Sequence, residues 1–347
     1  MKPESYQQTL AAFESIARNK TKDKTMPALI IDSPWLPGYA SVNTLDFYFD
    51  TQTWLNVYYK VHQDLPCVAF IPGAWVEFGM AAEPSGWPVR IRWSKDSPPA
   101  IHPYPGCLEG LLRFDVPDPE TDGLMPVVLR QYERVRPALK QKGLQPRIAA
   151  ARGPLAVASH ILGLTELLVA TQTEIRECMA LLEKTTELCI RWLTAQLQRM
   201  DDPLAVMVLD DIVGMLSPAD AQKFALPLLK KIFRAFPDLI HIYHNDTPNE
   251  SLLKPLAGVG IDVFNLSCNI DLHLARTLLG PDIVIMGNLA PLDLLVRGHP
   301  DEVHRAAKSL LEKLADFAPL VISAGGGVSP STPIENLQAM AQTVNLA

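Results

Sequence analysis

The sequence predicts an α/β chain folded as a (β/α)8 TIM-type barrel with an elaborated N-terminal section. Three observations carry this expectation. From about residue 146, short apolar runs of strand length alternate with amphipathic helical stretches, the order expected of a parallel sheet covered by helices. The runs are apolar throughout, as strands buried on both faces require. No GxGxxG follows an early strand, so an open dinucleotide-binding sheet loses support. With 347 residues, 48% hydrophobic and 20% charged, the chain can bury one large core and is neither disordered nor a coiled coil.

Taken in order, residues 1–130 read as an irregular Trp- and Pro-rich cap region. They hold 15 of the 30 prolines and five of the six tryptophans, and stretches such as Ser33-Pro34-Trp35-Leu36-Pro37-Gly38 break the chain too often for long helices. Cys67–Pro72 reads as a strand and Val89–Trp93, which alternates, as a half-exposed one. The regular barrel portion spans 146–345 of a single domain, 1–347. Its expected strands are Leu155–Ser159, Leu204–Leu209, Leu239–Tyr243, Val263–Leu266, Ile283–Met286 and Leu320–Ser323. With one or two earlier strands, these six suit a closed barrel. Thr171–Glu174 has the spacing of a capping box before a helix with Ile175, Cys178, Met179, Leu182, Cys189 and Leu193 on one face. Ser217-Pro218-Ala219-Asp220 opens another helix, with a serine cap, proline in the first turn and an acid facing the dipole. Thr332-Pro333-Ile334-Glu335 repeats that pattern, and Asp301–Phe317 reads as a further amphipathic helix.

Charge narrows the function. Lys+Arg is 31 and Asp+Glu 38, a net charge of −7 with no basic block, which argues against a nucleic-acid partner. The five cysteines, at 67, 107, 178, 189 and 268, are odd in number and form no CxxC, which points to a reducing compartment. No run of about 18 apolar residues predicts a membrane span, and the first 20 residues lack the apolar centre of a secretory signal. The expected location is the cytoplasm.

In a parallel barrel the site lies at the carboxyl ends of the strands. There the sequence collects His160, Asp210, Asp211, His244-Asn245-Asp246, Cys268, Asn288 and Gly325-Gly326-Gly327, with Tyr243 and Asn265 inside the strands. His244 and Asp246, two apart on an extended segment, point to one side and offer a nitrogen and an oxygen suited to Zn²⁺. The same residues also suit a polar Asn-Asp turn. Cys268 is a candidate third ligand or a small buried filler. One of Asp210 and Asp211 is expected to face the pocket, and Glu83, with Glu77, flanks an aromatic loop that could line it. The glycines allow an anion at a helix N-terminus or a tight turn. Asp211, His244 and Asp246 are thus the candidate catalytic residues. Glu83, His160, Asp210, Tyr243, Asn265, Asn288 and Gly326 are candidate substrate contacts, and His244, Asp246 and Cys268 candidate metal ligands.

Several stretches together resemble signatures of the uroporphyrinogen decarboxylase superfamily. They are Gly287-Asn288-Leu289-Ala290-Pro291, Gly298-His299-Pro300-Asp301-Glu302-Val303, Ser323–Val328 leading into Thr332–Leu337, and Gly153-Pro154-Leu155. The resemblance covers 146–345 well and the first 145 residues loosely, and it implies a (β/α)8 barrel. Decarboxylases of the superfamily carry an N-terminal RQAGRY-type segment for substrate carboxylates; here Arg18 is the only arginine in the first 40 residues. The corrinoid-dependent methyltransferase branch carries a zinc site made of His-x-Cys after a strand and a second Cys in the final glycine loop. His244 keeps the histidine, Asp246 stands in place of the first cysteine, and Gly326 falls at the second. The resemblance therefore implies a methyltransferase with a harder metal site, suited to an oxygen substrate. It implies methyl transfer from a small methylated compound, favouring an aryl methyl ether (O-demethylation), to the cobalt of a corrinoid (cobalamin) carried by a partner protein. Zn²⁺, or a proton donor in its place, would polarise the ether oxygen. The Trp- and Phe-rich first section suits an aromatic ring. Transfer from methylcobalamin to a thiol or pterin, uroporphyrinogen decarboxylation and non-catalytic tetrapyrrole binding stay open on the same fold, as does a homodimer.

Overall fold

The computed structural model describes residues 6–20, 25–314 and 319–345. Eight parallel strands make the barrel wall: β1 (Thr25–Ile30), β2 (Ala69–Ile71), β3 (Ile148–Arg152), β4 (Ala205–Leu209), β5 (Ile240–Asn245), β6 (Val263–Leu266), β7 (Val284–Met286) and β8 (Leu320–Ile322). Neighbours in the chain are neighbours in the wall, and β8 returns to pair with β1, Leu320 opposite Thr25. Paired residues face the same side. The register sets Arg152, Leu209, His244, Asn265 and Met286 in one row running across β3 to β7 and turned into the barrel. The alternate row, including Tyr243 and Phe264 stacked 5.4 Å apart, faces the surrounding helices.

Among the described residues the ladder is interrupted between β2 and β3. Side chains pair the open edge of β3 there. Gln196, fully buried in the helix Ile175–Leu197, donates to the Ala150 carbonyl at 2.9 Å and accepts from the Ala150 N–H at 3.4 Å. The Glu83 carboxylate accepts from the Arg152 N–H at 2.8 Å. Buried strand-edge groups must find partners, and here an amide and a carboxylate supply them.

Several sequence expectations need correction. Leu155–Ser159 is not a strand; it lies in the helix Pro154–Leu162, and the strand is the preceding Ile148–Arg152. Proline in the first turn and the Asp210 carboxylate, which accepts from Leu155 and Ala156 N–H at 2.9 and 3.0 Å, fix the helix start. The alanines of β3 concealed the strand, since alanine is the best helix former. Thr171 is no cap: the helix Leu164–Thr173 runs through it and its hydroxyl donates to the Leu168 carbonyl at 2.7 Å. Ser217 does cap Pro218–Phe224, accepting from the Asp220 N–H at 3.1 Å. The helix expected at Asp301–Phe317 spans Pro300–Lys313, and its last expected residues, 315–317, lie outside the described residues.

The N-terminal section is more regular than its prolines suggest. It supplies β1 and β2 and two 14-residue helices, Tyr6–Asn19 and Thr51–Asp64; residues 1–5 lie outside the described residues. What remains of a cap is the exposed hairpin of Arg90–Arg92 against Ala100–His102 and the loops around it. Trp35 ties this section to the end of the chain by donating to the Thr332 carbonyl at 3.0 Å. Among the described residues no single helix is long and apolar enough to cross a membrane; Pro154–Leu162 and Leu164–Thr173 reach that composition only as a pair bent by 107°.

Candidate active site

The ends of β4 and β5 build one wall of the barrel mouth. His244 is the inward residue near the end of β5 and only 6% exposed. Its Nδ1 lies 2.7 Å from Asn265 Oδ1 and its Nε2 lies 3.5 Å from Asp211 Oδ1. Asp211 opens the short turn Asp211–Met215 after β4, and Asp246 directly follows β5. The two loops are laced together: the Asp246 N–H donates to Asp211 Oδ1 at 2.9 Å, and the Thr247 hydroxyl donates to the Asp211 carbonyl at 2.9 Å. One ligand atom from each of Asp211, His244 and Asp246 falls within 4.8 Å of the others. Burial raises the Asp246 carboxyl above its ordinary range; the charge of Asp211 and a hydrogen bond to it add to this, and His244 opposes it. Two carboxylates and an imidazole, brought together from two strand ends, form a donor set that fits a divalent cation such as Zn²⁺.

The opposite wall comes from β1 to β3. Arg152, inward at the end of β3 and 5% exposed, holds its guanidinium 5.0 Å from the Trp75 ring and donates to the Gly79 carbonyl at 3.2 Å. Glu77 accepts from the Ser33 N–H at 2.9 Å and from the Gly79 N–H, and Tyr48 donates to the Ser33 hydroxyl at 2.6 Å. Burial raises the carboxyls of Glu77 and Glu83, against their hydrogen bonds and the charge of Arg152. Asp32 follows β1, four strands from His244 around the ring. Burial and the Glu77 charge push its carboxyl up to about 7, while Arg152 and His244 pull it down.

The remaining sequence candidates are placed as follows. Asp210 is fully buried and turned to the helix start at Leu155, and burial raises its carboxyl to about 8 against those N–H donors. Tyr243 belongs to the outward row and donates to the Asp210 carbonyl at 3.1 Å. His160 lies in the helix Pro154–Leu162 instead of at a strand end, and burial, with Arg152, lowers its imidazole to about 4. Asn265 is fully buried beneath His244. Asn288 donates to the Ser267 and Ile270 carbonyls at 3.1 and 2.9 Å, holding the loop after β6. Cys268 is half-buried, its thiol raised by burial, and stands outside the ligating group, which Asp211 completes. At Gly326 φ is +129°, and a Cβ would stand 2.8 Å from Asp246 Oδ2, so the glycine adjoins the ligating group. Sequence reasoning missed Asp32 and Arg152. The signal was a polar residue directly after MPALII and after IAAA, two runs not read as strands.

Fold and mouth together define a (β/α)8 barrel protein with a polar, mostly acidic constellation at the carboxyl face of its strands. Residues 39–346 match the uroporphyrinogen decarboxylase (URO-D) family, and the chain belongs to it. It is 29% identical over 268 residues to a uroporphyrinogen decarboxylase of Carboxydothermus hydrogenoformans, covering 75% of this chain and 74% of the relative. It is 25% identical over 289 residues to a methylated-thiol--coenzyme M methyltransferase of Methanosarcina mazei, covering 81% and 75%. A solved methyltransferase from Methanosarcina mazei shares the fold, with a TM-score of 0.81 at 19% identity over 99% of both chains.

Proposed function

We propose that the chain is a methyltransferase that moves a methyl group from a small methylated donor, by preference an aryl methyl ether, to the cobalt of a corrinoid carried by a partner protein. The observation that carries this reading is the convergence of Asp211, His244 and Asp246 at the mouth. Oxygen-rich ligands without thiolate favour a hard metal site and an ether oxygen over a thiol. The methyltransferase relative from Methanosarcina mazei adds support.

The acidic mouth argues against the decarboxylase alternative. Asp211 and Asp246 converge there, and the guanidinium of Arg152 is already held against Trp75 and the Gly79 carbonyl. A substrate with many carboxylates would meet like charge.

Asp211, His244 and Asp246 are the residues that would hold Zn²⁺. A zinc ion bound there supplies Lewis acidity toward the departing oxygen. The loops after β4 and β5, laced through Asp211, keep these side chains in place before substrate arrives. Asp32, on the facing wall with its proton affinity raised into the neutral range, is placed to return a proton to the mouth once the C–O bond has broken. Exposed apolar side chains lie on segments leaving the strand ends: Phe49 and Trp93 by β1 and β2, Met215 after β4 and Leu292 after β7. They suit the docking of a partner over the mouth.

The test mixes the purified chain with a cobalt(I) corrinoid and a methoxyphenol. Methyl–cobalt absorbance that disappears in His244→Ala supports the reading, and its absence with every methyl donor tried overturns it. The name of the relative from Methanosarcina mazei favours a second reading, with a methylated thiol as donor. In that case a methyl thioether is turned over and the aryl ether is not.

A further inference from the structure

We infer that Asn265 is a positioning residue that fixes the tautomer of His244 and so presents Nε2, with its lone pair, to Asp211 and Asp246. The inference rests on the metal reading of that group. Asn265 is fully buried, so the substrate contact expected from sequence gives way to a role played through another residue. Its amide nitrogen donates to the Met286 carbonyl on β7 at 3.0 Å and to the Ala324 carbonyl beyond β8 at 3.1 Å. Both amide protons are therefore used, and the amide cannot turn over without setting Oδ1 against two carbonyl oxygens. Oδ1 must face His244 Nδ1 at 2.7 Å, and an acceptor there demands that Nδ1 carry the proton.

In a neutral imidazole the other nitrogen then has none. Nε2 points its lone pair at Asp211 Oδ1, 3.5 Å away, with Asp246 in the same group. Asp211 Oδ1 already accepts from the Asp246 N–H, and a cation lying among the three ligand atoms would relieve the repulsion that remains between them. One hydrogen-bonded chain, running through β5, β6, β7 and the end of β8, thus converts a buried histidine into a ligand of fixed direction.

The test has two arms. Proton–nitrogen correlation spectra of histidine-labelled protein, with His244 assigned by comparison with His244→Ala, read the tautomer directly. The expected result is a proton on Nδ1, both in zinc-loaded protein and in metal-free protein at alkaline pH. A proton on Nε2 overturns the inference. Zinc affinity, measured by competition with a chromophoric chelator, is expected to fall about 10–100-fold in Asn265→Ser, with thermal unfolding of the metal-free variant recorded alongside. Unchanged affinity overturns the inference as well. If the wild type binds no zinc, the metal reading of the function falls, while the tautomer in metal-free protein still decides the role of Asn265.

Discussion

Single side chains at the mouth carry a stability cost that their chemistry explains. Asp32 binds its proton more tightly in the folded chain, where its carboxyl is pushed up to about 7, than in the unfolded one near 3.8. Between those values the unfolded chain is ionised and the folded one is not, so this residue lowers stability as pH rises from about 4 to 7. Asp32→Asn should therefore raise the melting temperature at pH 8 by about 2 °C or more, a gain that vanishes near pH 4, while methyl transfer falls. Equal melting curves at both pH values would contradict the placement. At Gly326 φ is +129° and a Cβ would meet Asp246 Oδ2 at 2.8 Å, so Gly326→Ala should displace the Asp246 carboxylate. The expected outcome is zinc binding weakened about tenfold or more, read by the same chelator competition. Of these residues, His244 and Asp246 were legible because a spacing of two on a strand implies a shared face. Asp32 and Arg152 were not, because proline in β1 and alanine in β3 hid the strands that carry them.

Elements owe their limits to local chemistry that often comes from elsewhere in the chain. The serine cap at Ser217 and the helix after it follow from adjacent residues alone. The edge of β3 does not: its Ala150 groups are paired by Gln196, 46 positions away. Gln196→Leu leaves a buried N–H and a buried carbonyl without partners and should cost about 2 kcal/mol or more. Ser217→Ala removes one partly exposed cap and should cost about 1 kcal/mol. Chemical denaturation of the two variants checks the order, and a larger loss for Ser217→Ala would show that the edge of β3 is not held by this amide. The helix Pro154–Leu162 makes the same point. Pro154 helps to set its start locally, but the carboxylate of Asp210 comes from elsewhere in the chain, and a short apolar run such as residues 155–158 is as compatible with a strand as with a helix.

At the scale of the whole molecule, exposed apolar side chains lie on segments that follow the strands whose ends carry Asp211 and Asp246 or neighbour them. Among them Phe49, Met215 and Leu292 are 58%, 50% and 55% exposed, so changing them removes little packing. On the proposed function, with a corrinoid protein docking over these segments, the double variant Met215→Asp, Leu292→Asp should unfold within about 1 °C of wild type yet bind that protein at least tenfold more weakly. Binding unchanged by both charges would place the partner elsewhere.

The sequence by itself determined the class of fold and the polar strand ends, because burial on both faces of a parallel sheet dictates apolar runs and the barrel then sends whatever follows them to one face. It also determined the pairing of His244 with Asp246, which depends only on the two-residue repeat of extended backbone. Tertiary structure decided that Asp211 joins them, that Asn265 lies beneath His244 and that Asp32 and Arg152 face them across the mouth. Those contacts join residues about 20 to more than 200 positions apart, and only strand register and closure of the ring bring them together.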